Sequence, residues 1–322
     1  MKRPTIISSL ALAALLPAAL GATPQPEVKE LRIGYLPNIV LPQPLLGLTG
    51  GQFEKLVPGV KFTGTAYPAG PAVLEALRAG TIDIAYTGPY PPLNAFLRDR
   101  DVVLLAGAAT GGTELLVGRN SPIRKVADLK GKVIGVNQLG STVDVMVRFN
   151  LIEAGLVPDK DVRLIEVPPA EQADALKRNE VAAVASPAPW PSFIVKNGNG
   201  RALLNWRTIF DGGNYLQGVA FTTAKFARQN PNAVKAFVNA HKTITNNLNK
   251  DRTRGDKEVL AAWSAVTKRT LDPKVAQSAF ASIKFTNAAD LKSFQRLADV
   301  TYQAGILREK GSLEGFLYAP GK

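Results

Sequence analysis

The 322-residue chain contains no cysteine and only one histidine. The first absence excludes a disulfide framework, a thiolate metal site, a cysteine nucleophile and a lipid-modified cysteine behind a leader. With His241 as the sole imidazole, a zinc or copper site would need carboxylates for nearly all its ligands, which suits harder metals, and Asp83, Glu114 and Asp144 form no recognisable cluster. His241 sits in a long helical stretch and reads as a surface or packing residue; no Ser-His-Asp set assembles around it. Also missing are a nucleophile elbow of the Gly-x-Ser-x-Gly kind, a phosphate loop ending in Gly-Lys-Ser/Thr and the dinucleotide pattern Gly-x-Gly-x-x-Gly. No enzymatic activity, metal or cofactor is expected. Acidic residues are scarce beside basic ones, 26 against 39, giving a formal net charge of +13. Lys and Arg are spread along helices, with no basic run interleaved with aromatics, so the charge suits steering of anionic solutes or plain solubility better than nucleic acid.

One sustained apolar run exists, Ile6 to Leu20. Lys2 and Arg3 precede it and the small residues of Ala19-Leu20-Gly21-Ala22 close it, the form of a secretory signal peptide over residues 1–22. Ser8, Ser9 and Pro17 break it, and it falls short of the ~20 residues a membrane span needs. Export to the periplasm without a lipid anchor follows, and loss of Lys2 and Arg3 lowers the net charge from +13 to +11. The remaining chain, at 46% hydrophobic, is ample for a core and suggests two lobes.

Val126 to Val136 reads as a short helix, a Gly turn and a buried strand, followed by the polar loop Asn137 to Thr142 opening a new helix. A loop of that kind aims free N–H groups and a positive helix end at whatever lies beyond the strand, which suits a small anion. The same grammar recurs. After a polar segment, Thr23 to Lys29, read as disordered, strands are predicted at Leu31–Tyr35, Lys61–Tyr67, Ile82–Tyr86 and Val102–Ala106, with helices at Pro71–Ala79 and Pro91–Asp99. A second set has strands Val133–Val136, Val162–Glu166, Ala182–Ala185 and Ala202–Leu204, with helices Val143–Ala154 and Ala170–Asn179. The alternation implies right-handed βαβ crossovers and mostly parallel sheets flanked by helices. Glu114–Gly118 and Leu216–Thr222 read as paired hinge strands. From Pro231 onward the pattern is helical, with starts marked by Asn230, Asp272 and Asn287, and these helices are expected to pack on the first lobe. No internal repeat is visible.

Several of these segments together resemble a family, the solute-binding proteins of ABC importers in the branch that serves nitrate, taurine, alkanesulfonates and thiamine-pyrimidine precursors. The resemblance rests on Arg32-Ile33-Gly34-Tyr35, on Leu77 to Ala85 followed by Thr87-Gly88-Pro89, on Asp128-Leu129-Lys130-Gly131-Lys132-Val133-Ile134-Gly135, on Gly140-Ser141-Thr142 and on Phe226 to Pro231. It implies a type II periplasmic binding-protein fold of class α/β, with residues 30–113 and 220–322 as lobe 1 and 114–219 as lobe 2. It further implies two hinge strands, a solute in the cleft and delivery of the closed form to a membrane permease with its ATPase, by a monomer.

In open α/β sheets ligands sit beyond the carboxyl ends of the strands. On that rule Tyr35 offers an aromatic wall and Asn38 an amide, or both belong to a Pro-stiffened turn. Gly70 and Pro71 open a helix whose start can face an anion, or Pro71 stands there for structural reasons alone. Thr87, Gly88 and Tyr90 bring a hydroxyl, a close backbone approach and a phenol, in a loop that family members use for ligand contact. Gly111, Gly112 and Thr113 either line the cleft or permit it to bend. Gly140, Ser141 and Thr142 surround an anion with N–H and hydroxyl donors, or form an ordinary helix cap. Trp190 covers a planar or apolar part of a solute or packs in a core, and Asn214 is a candidate of the same type. The predicted ligand is an alkanesulfonate or taurine-like anion, with nitrate or a thiamine-pyrimidine precursor as alternatives. Other classes to weigh are a pyrimidine-synthesising enzyme of the same fold and a solute sensor for a signalling receptor. Replacing Ser141 and Thr142 together by alanine is expected to weaken anion binding by several kcal/mol, at ~1.5–3 for each charged hydrogen bond, with little effect on folding.

Overall fold

The computed structural model describes residues 25–319; the expected leader, residues 1–22, lies outside them. The first run of elements is β1 (Glu30–Tyr35), α1 (Pro42–Pro44), α2 (Gln52–Leu56), β2 (Lys61–Ala66), α3 (Gly70–Arg78), β3 (Ile84–Thr87), α4 (Tyr90–Asp99) and β4 (Val102–Gly111). The second is β5 (Thr113–Gly118), β6 (Val133–Val136), α5 (Thr142–Glu153), β7 (Arg163–Glu166), α6 (Gln172–Lys177), β8 (Ala183–Pro187), α7 (Trp190–Lys196) and β9 (Gly200–Leu204). The chain then adds β10 (Leu216–Thr223), α8 (Ala224–Gln229), α9 (Pro231–Lys250), α10 (Arg252–Thr267), α11 (Pro273–Ala281), β11 (Ile283–Phe285) and α12 (Leu291–Gln303).

Two sheets result, in the orders β11-β4-β10-β3-β1-β2 and β7-β6-β8-β5-β9. Each is built around a parallel β-α-β-α-β core, β2-β1-β3 in one and β7-β6-β8 in the other. Beside each core lies one antiparallel strand, β10 in the first sheet and β5 in the second, and beyond it a further strand, β4 or β9. The sheets are therefore mixed rather than mostly parallel, and a repeat absent from the sequence is present in the topology. Its cause is the crossing: β4 runs into β5 with only Gly112 between them, so the chain enters the second sheet heading against its core strands. Gly111 and Gly112 both hold positive φ, +77° and +86°, a bend that residues with a Cβ rarely adopt. The two hinge strands do not pair with each other, and β10 belongs to the first sheet along its whole length, including residues 216–219 expected in lobe 2.

The late helices do more than return to the first lobe. α9 and α10 pack on the first lobe, but α11 packs on α7 and α12 touches both α4 and α5. Asp290, not Asn287, caps α12, accepting from Lys292 N–H at 3.0 Å. Nor is the segment before β1 free: the Glu27 carboxylate accepts from the N–H groups of Asn232 and Ala233, both at 2.9 Å, which places an anion at the positive end of α9.

His241, on α9, is fully buried. Its Nε2 lies 2.8 Å from the carbonyl of Gly107 and its Nδ1 2.7 Å from the hydroxyl of Tyr86. A carbonyl only accepts, so Nε2 carries the proton and Nδ1 receives the Tyr86 hydroxyl. The register of β4 against β10 slips between Ala109 and Gly107, and Gln43 satisfies the bulged Ala108 carbonyl at 3.1 Å. The histidine is thus a packing residue that closes the hydrogen-bond account of a β-bulge.

Candidate functional site

Between the lobes, at the carboxyl ends of the parallel strands, lies a cavity of about 280 Å³. Of the residues expected at a site, Asn38, Gly70, Gly88, Ser141, Thr142 and Trp190 line it. The first lobe reaches it through the loops after β1, β2 and β3, the second through the loops after β6, β7 and β8.

Gly88 and Thr142 meet directly across the cleft. The N–H of Tyr90, the first residue of α4, donates to Thr142 Oγ1 at 3.1 Å, joining the starts of two helices from opposite lobes. Around the start of α5 the side chains serve the helix itself. Ser141 Oγ accepts from Asp144 N–H at 3.2 Å and donates to Asn137 Oδ1 at 2.8 Å, while Gly140 N–H is taken by the Asp144 carboxylate at 2.8 Å. Two donors remain: the N–H groups of Thr142 and Val143 have no protein acceptor among the described residues, and both residues line the cavity. The free donors that this end offers are therefore backbone N–H groups rather than hydroxyls. The Ser141→Ala variant is accordingly expected to lose about 1 kcal/mol of folding stability through its cap, measured by urea denaturation, with little loss of affinity.

Two buried amides face the same space. Asn38 and Gln217 line the cavity, and the side-chain oxygen of each lacks a partner. Gln217 lies in β10 where its register against β4 shifts. Thr267 and Arg269 add further polar groups. Arg269 follows the end of α10, is exposed, stands 5.5 Å from the Trp190 ring centroid and takes part in none of the ion pairs among the described residues. Trp190 packs edge-on against Trp263 with centroids 6.1 Å apart, and Trp263 Nε1 donates to the Pro37 carbonyl at 3.1 Å. An aromatic pair thereby links the second lobe to the first beside the cavity.

The other expected residues do not line it. Tyr35 shares a strand face with Leu31 and Ile33 and is buried with them; the period of two fixes that outcome, and Tyr67 at the end of β2 supplies the aromatic wall. Thr87 is fully buried and donates to the Gly88 carbonyl at 2.7 Å. Tyr90 lies between α4 and α5, its phenol pushed up to about 12 by burial first and the nearby Asp144 carboxylate second. Thr113 N–H donates to the Tyr215 hydroxyl at 3.0 Å, at the crossing. Gly140 turns the chain at φ +73°, and Asn214 is exposed on the second crossing. Among the described residues, no group of three or more His, Asp or Glu is placed to hold a metal.

Two α/β lobes joined by two crossings, with a cavity at their strand ends, define the two-lobed periplasmic binding-protein fold. The chain belongs to the NMT1-like family, which it matches over residues 24–264. It is 30% identical to a putative aliphatic sulfonates-binding protein of Escherichia coli K12, across 98% of this chain and 97% of that one. Among solved structures, the alkanesulfonate-binding protein SsuA from Xanthomonas axonopodis pv. citri bound to MOPS is similar with a TM-score of 0.74 and 27% identity, over 91% of this chain and 99% of that one. The periplasmic nitrate-binding protein NrtA from Synechocystis shares the fold, with a TM-score of 0.67 at 17% identity over 88% and 84% of the two chains.

Proposed function

We propose that this protein is the extracytoplasmic binding component of an ABC importer, capturing a small organic sulfonate between its lobes and delivering it to a permease of the cytoplasmic membrane without transforming it. The observation that carries the reading is the set of donors at one interlobe cavity: the N–H groups of Thr142 and Val143 at the start of α5, which have no acceptor among the described residues, and the guanidinium of Arg269 at its exposed side. A sulfonate stays charged at physiological pH and accepts several hydrogen bonds, so it matches neutral donors with one guanidinium nearby. The kinship with sulfonate-binding proteins supports the same ligand class. Residues from both lobes touch one space, so a solute there stabilises the closed form over the open one. The leader-like residues Lys2, Arg3 and Ile6 to Leu20 support a periplasmic address.

A thermal-shift series tests the ligand class. Alkanesulfonates well above their dissociation constant are expected to raise Tm by about 5 °C. Stabilisation by nitrate or an aminopyrimidine, with none by sulfonates, would overturn the choice of sulfonate.

A further inference from the structure

We infer that the cavity is built for an arylsulfonate, an anion whose body is a flat apolar ring, and that it discriminates against amino sulfonates such as taurine; this rests on the sulfonate reading above. Six prolines form much of its wall: Pro37, Pro68, Pro91, Pro168, Pro169 and Pro187. Their rings fix the backbone, so the apolar surface exists before any solute arrives. Trp190 is equally preset, held between Phe193 and Trp263 at centroid distances of 6.2 and 6.1 Å. A planar ring stacks on or meets the edge of such a side chain, and pyrrolidine faces suit its other surface.

Size points the same way. The space, about 280 Å³, is many times the ~10–15 Å³ that a single water needs on the same measure. A six-membered ring offers more apolar surface to the proline wall than a two-carbon body does.

Charge decides against an ammonium group. No Asp or Glu is among the described residues lining the cavity, and the one charged side chain there, Arg269, is positive. The unpartnered atoms of Asn38 and Gln217 are their carbonyl oxygens, which can accept from a polar group but carry no full charge and so neutralise none. An ammonium carried into this space would lose hydration beside a guanidinium and gain no counter-ion.

Calorimetric titration of the full chain with benzenesulfonate, ethanesulfonate and taurine tests the inference, with nitrate and an aminopyrimidine as controls. Benzenesulfonate is expected to bind roughly 10- to 100-fold more tightly than ethanesulfonate, the scale of burying one phenyl ring, and taurine more weakly than both. If ethanesulfonate or taurine matches or exceeds benzenesulfonate, the aryl inference fails while the sulfonate reading stands. If only nitrate or the aminopyrimidine binds, the sulfonate reading itself fails, and the inference with it. A Trp190→Leu variant, shown to be folded by circular dichroism, is expected to narrow the aryl preference to a few-fold; an unchanged preference would overturn the assignment of the ring to Trp190. The wild-type ranking decides the inference whether or not that variant folds.

Discussion

Replacing Gly88 by alanine is expected to hold the lobes apart and weaken binding of the proposed sulfonate roughly 10- to 100-fold, the range of 1–3 kcal/mol that overpacking costs a tight contact. A Cβ at Gly88 would lie 2.3 Å from Thr142 Oγ1 and 2.8 Å from Thr142 Cβ. Rotating the threonine side chain moves its hydroxyl but leaves Cβ in place, and the Thr142 backbone is fixed in the first turn of α5. Gly88 does not hold a positive φ, so alanine fits its own backbone and the unliganded lobes should fold normally. The contact therefore falls on closure. It would also stretch the 3.1 Å bond from Tyr90 N–H to Thr142 Oγ1, which spans the cleft. Small-angle scattering with saturating sulfonate should show the variant retaining its open radius of gyration where the wild type contracts. Equal affinity and equal contraction would mean that the cleft closes in some other geometry. Removing the clash from the other side, with Thr142→Gly in the same chain, should recover part of the lost affinity.

That pair of loops is where sequence reading came closest to the site. Strand periodicity and helix-start residues put Gly88 and Thr142 at the ends of two parallel strands, and the rule for open α/β sheets then puts both on one cleft. The side-chain roles were less legible. A Ser or Thr at a helix start looks the same in sequence whether it greets a ligand or caps its own helix, and only the bonds to Asn137 and Asp144 distinguish the two for Ser141. The proline wall has its own mark in the sequence: Pro37, Pro68 and Pro168 follow β1, β2 and β7 by two residues, and Pro187 ends β8. Proline ends a strand because it cannot donate to the ladder, and a residue just past such an end faces the site.

Gln217 and Arg269 carried no comparable mark. Gln217 enters the cavity at a register shift between β10 and β4, a property of the pairing rather than of either strand. Arg269 is one of 39 basic residues, and it reaches the cavity only because α10 folds back over the loop after β1, where Trp263 bonds Pro37. Long-range packing set both positions. The order of the sheets was likewise hidden, since a hinge strand has the same apolar pattern whether it joins the sheet it leaves or the sheet it enters.

Acid should destabilise this fold through His241, by about 3 kcal/mol between neutral pH and pH 4 at 1.36 kcal/mol per pKa unit. Burial lowers its pKa from the ordinary 6.5 to about 4, partly opposed by the bond to the Gly107 carbonyl and helped by the charge of Lys242. The native state thus holds the ring neutral, while the unfolded chain takes up a proton near pH 6.5. Between those values the unfolded state binds more protons, so stability rises with pH. The contribution is complete above about pH 6.5, falls as pH drops toward 4, and is constant below. Protonation also breaks the geometry, because Nδ1 would become a donor facing the Tyr86 hydroxyl, 2.7 Å away, and that hydroxyl would have to turn its own proton elsewhere within the core. Urea denaturation of the wild type and of His241→Leu at pH 4.5 and 7 separates this histidine from the carboxylates, which titrate alike in both chains. The variant should be less stable at pH 7, having lost both hydrogen bonds, yet it should lose distinctly less on acidification. Equal losses in the two chains would show that His241 reaches a proton acceptor or solvent in the native state, and that the bulge at Ala108 opens locally before the fold does.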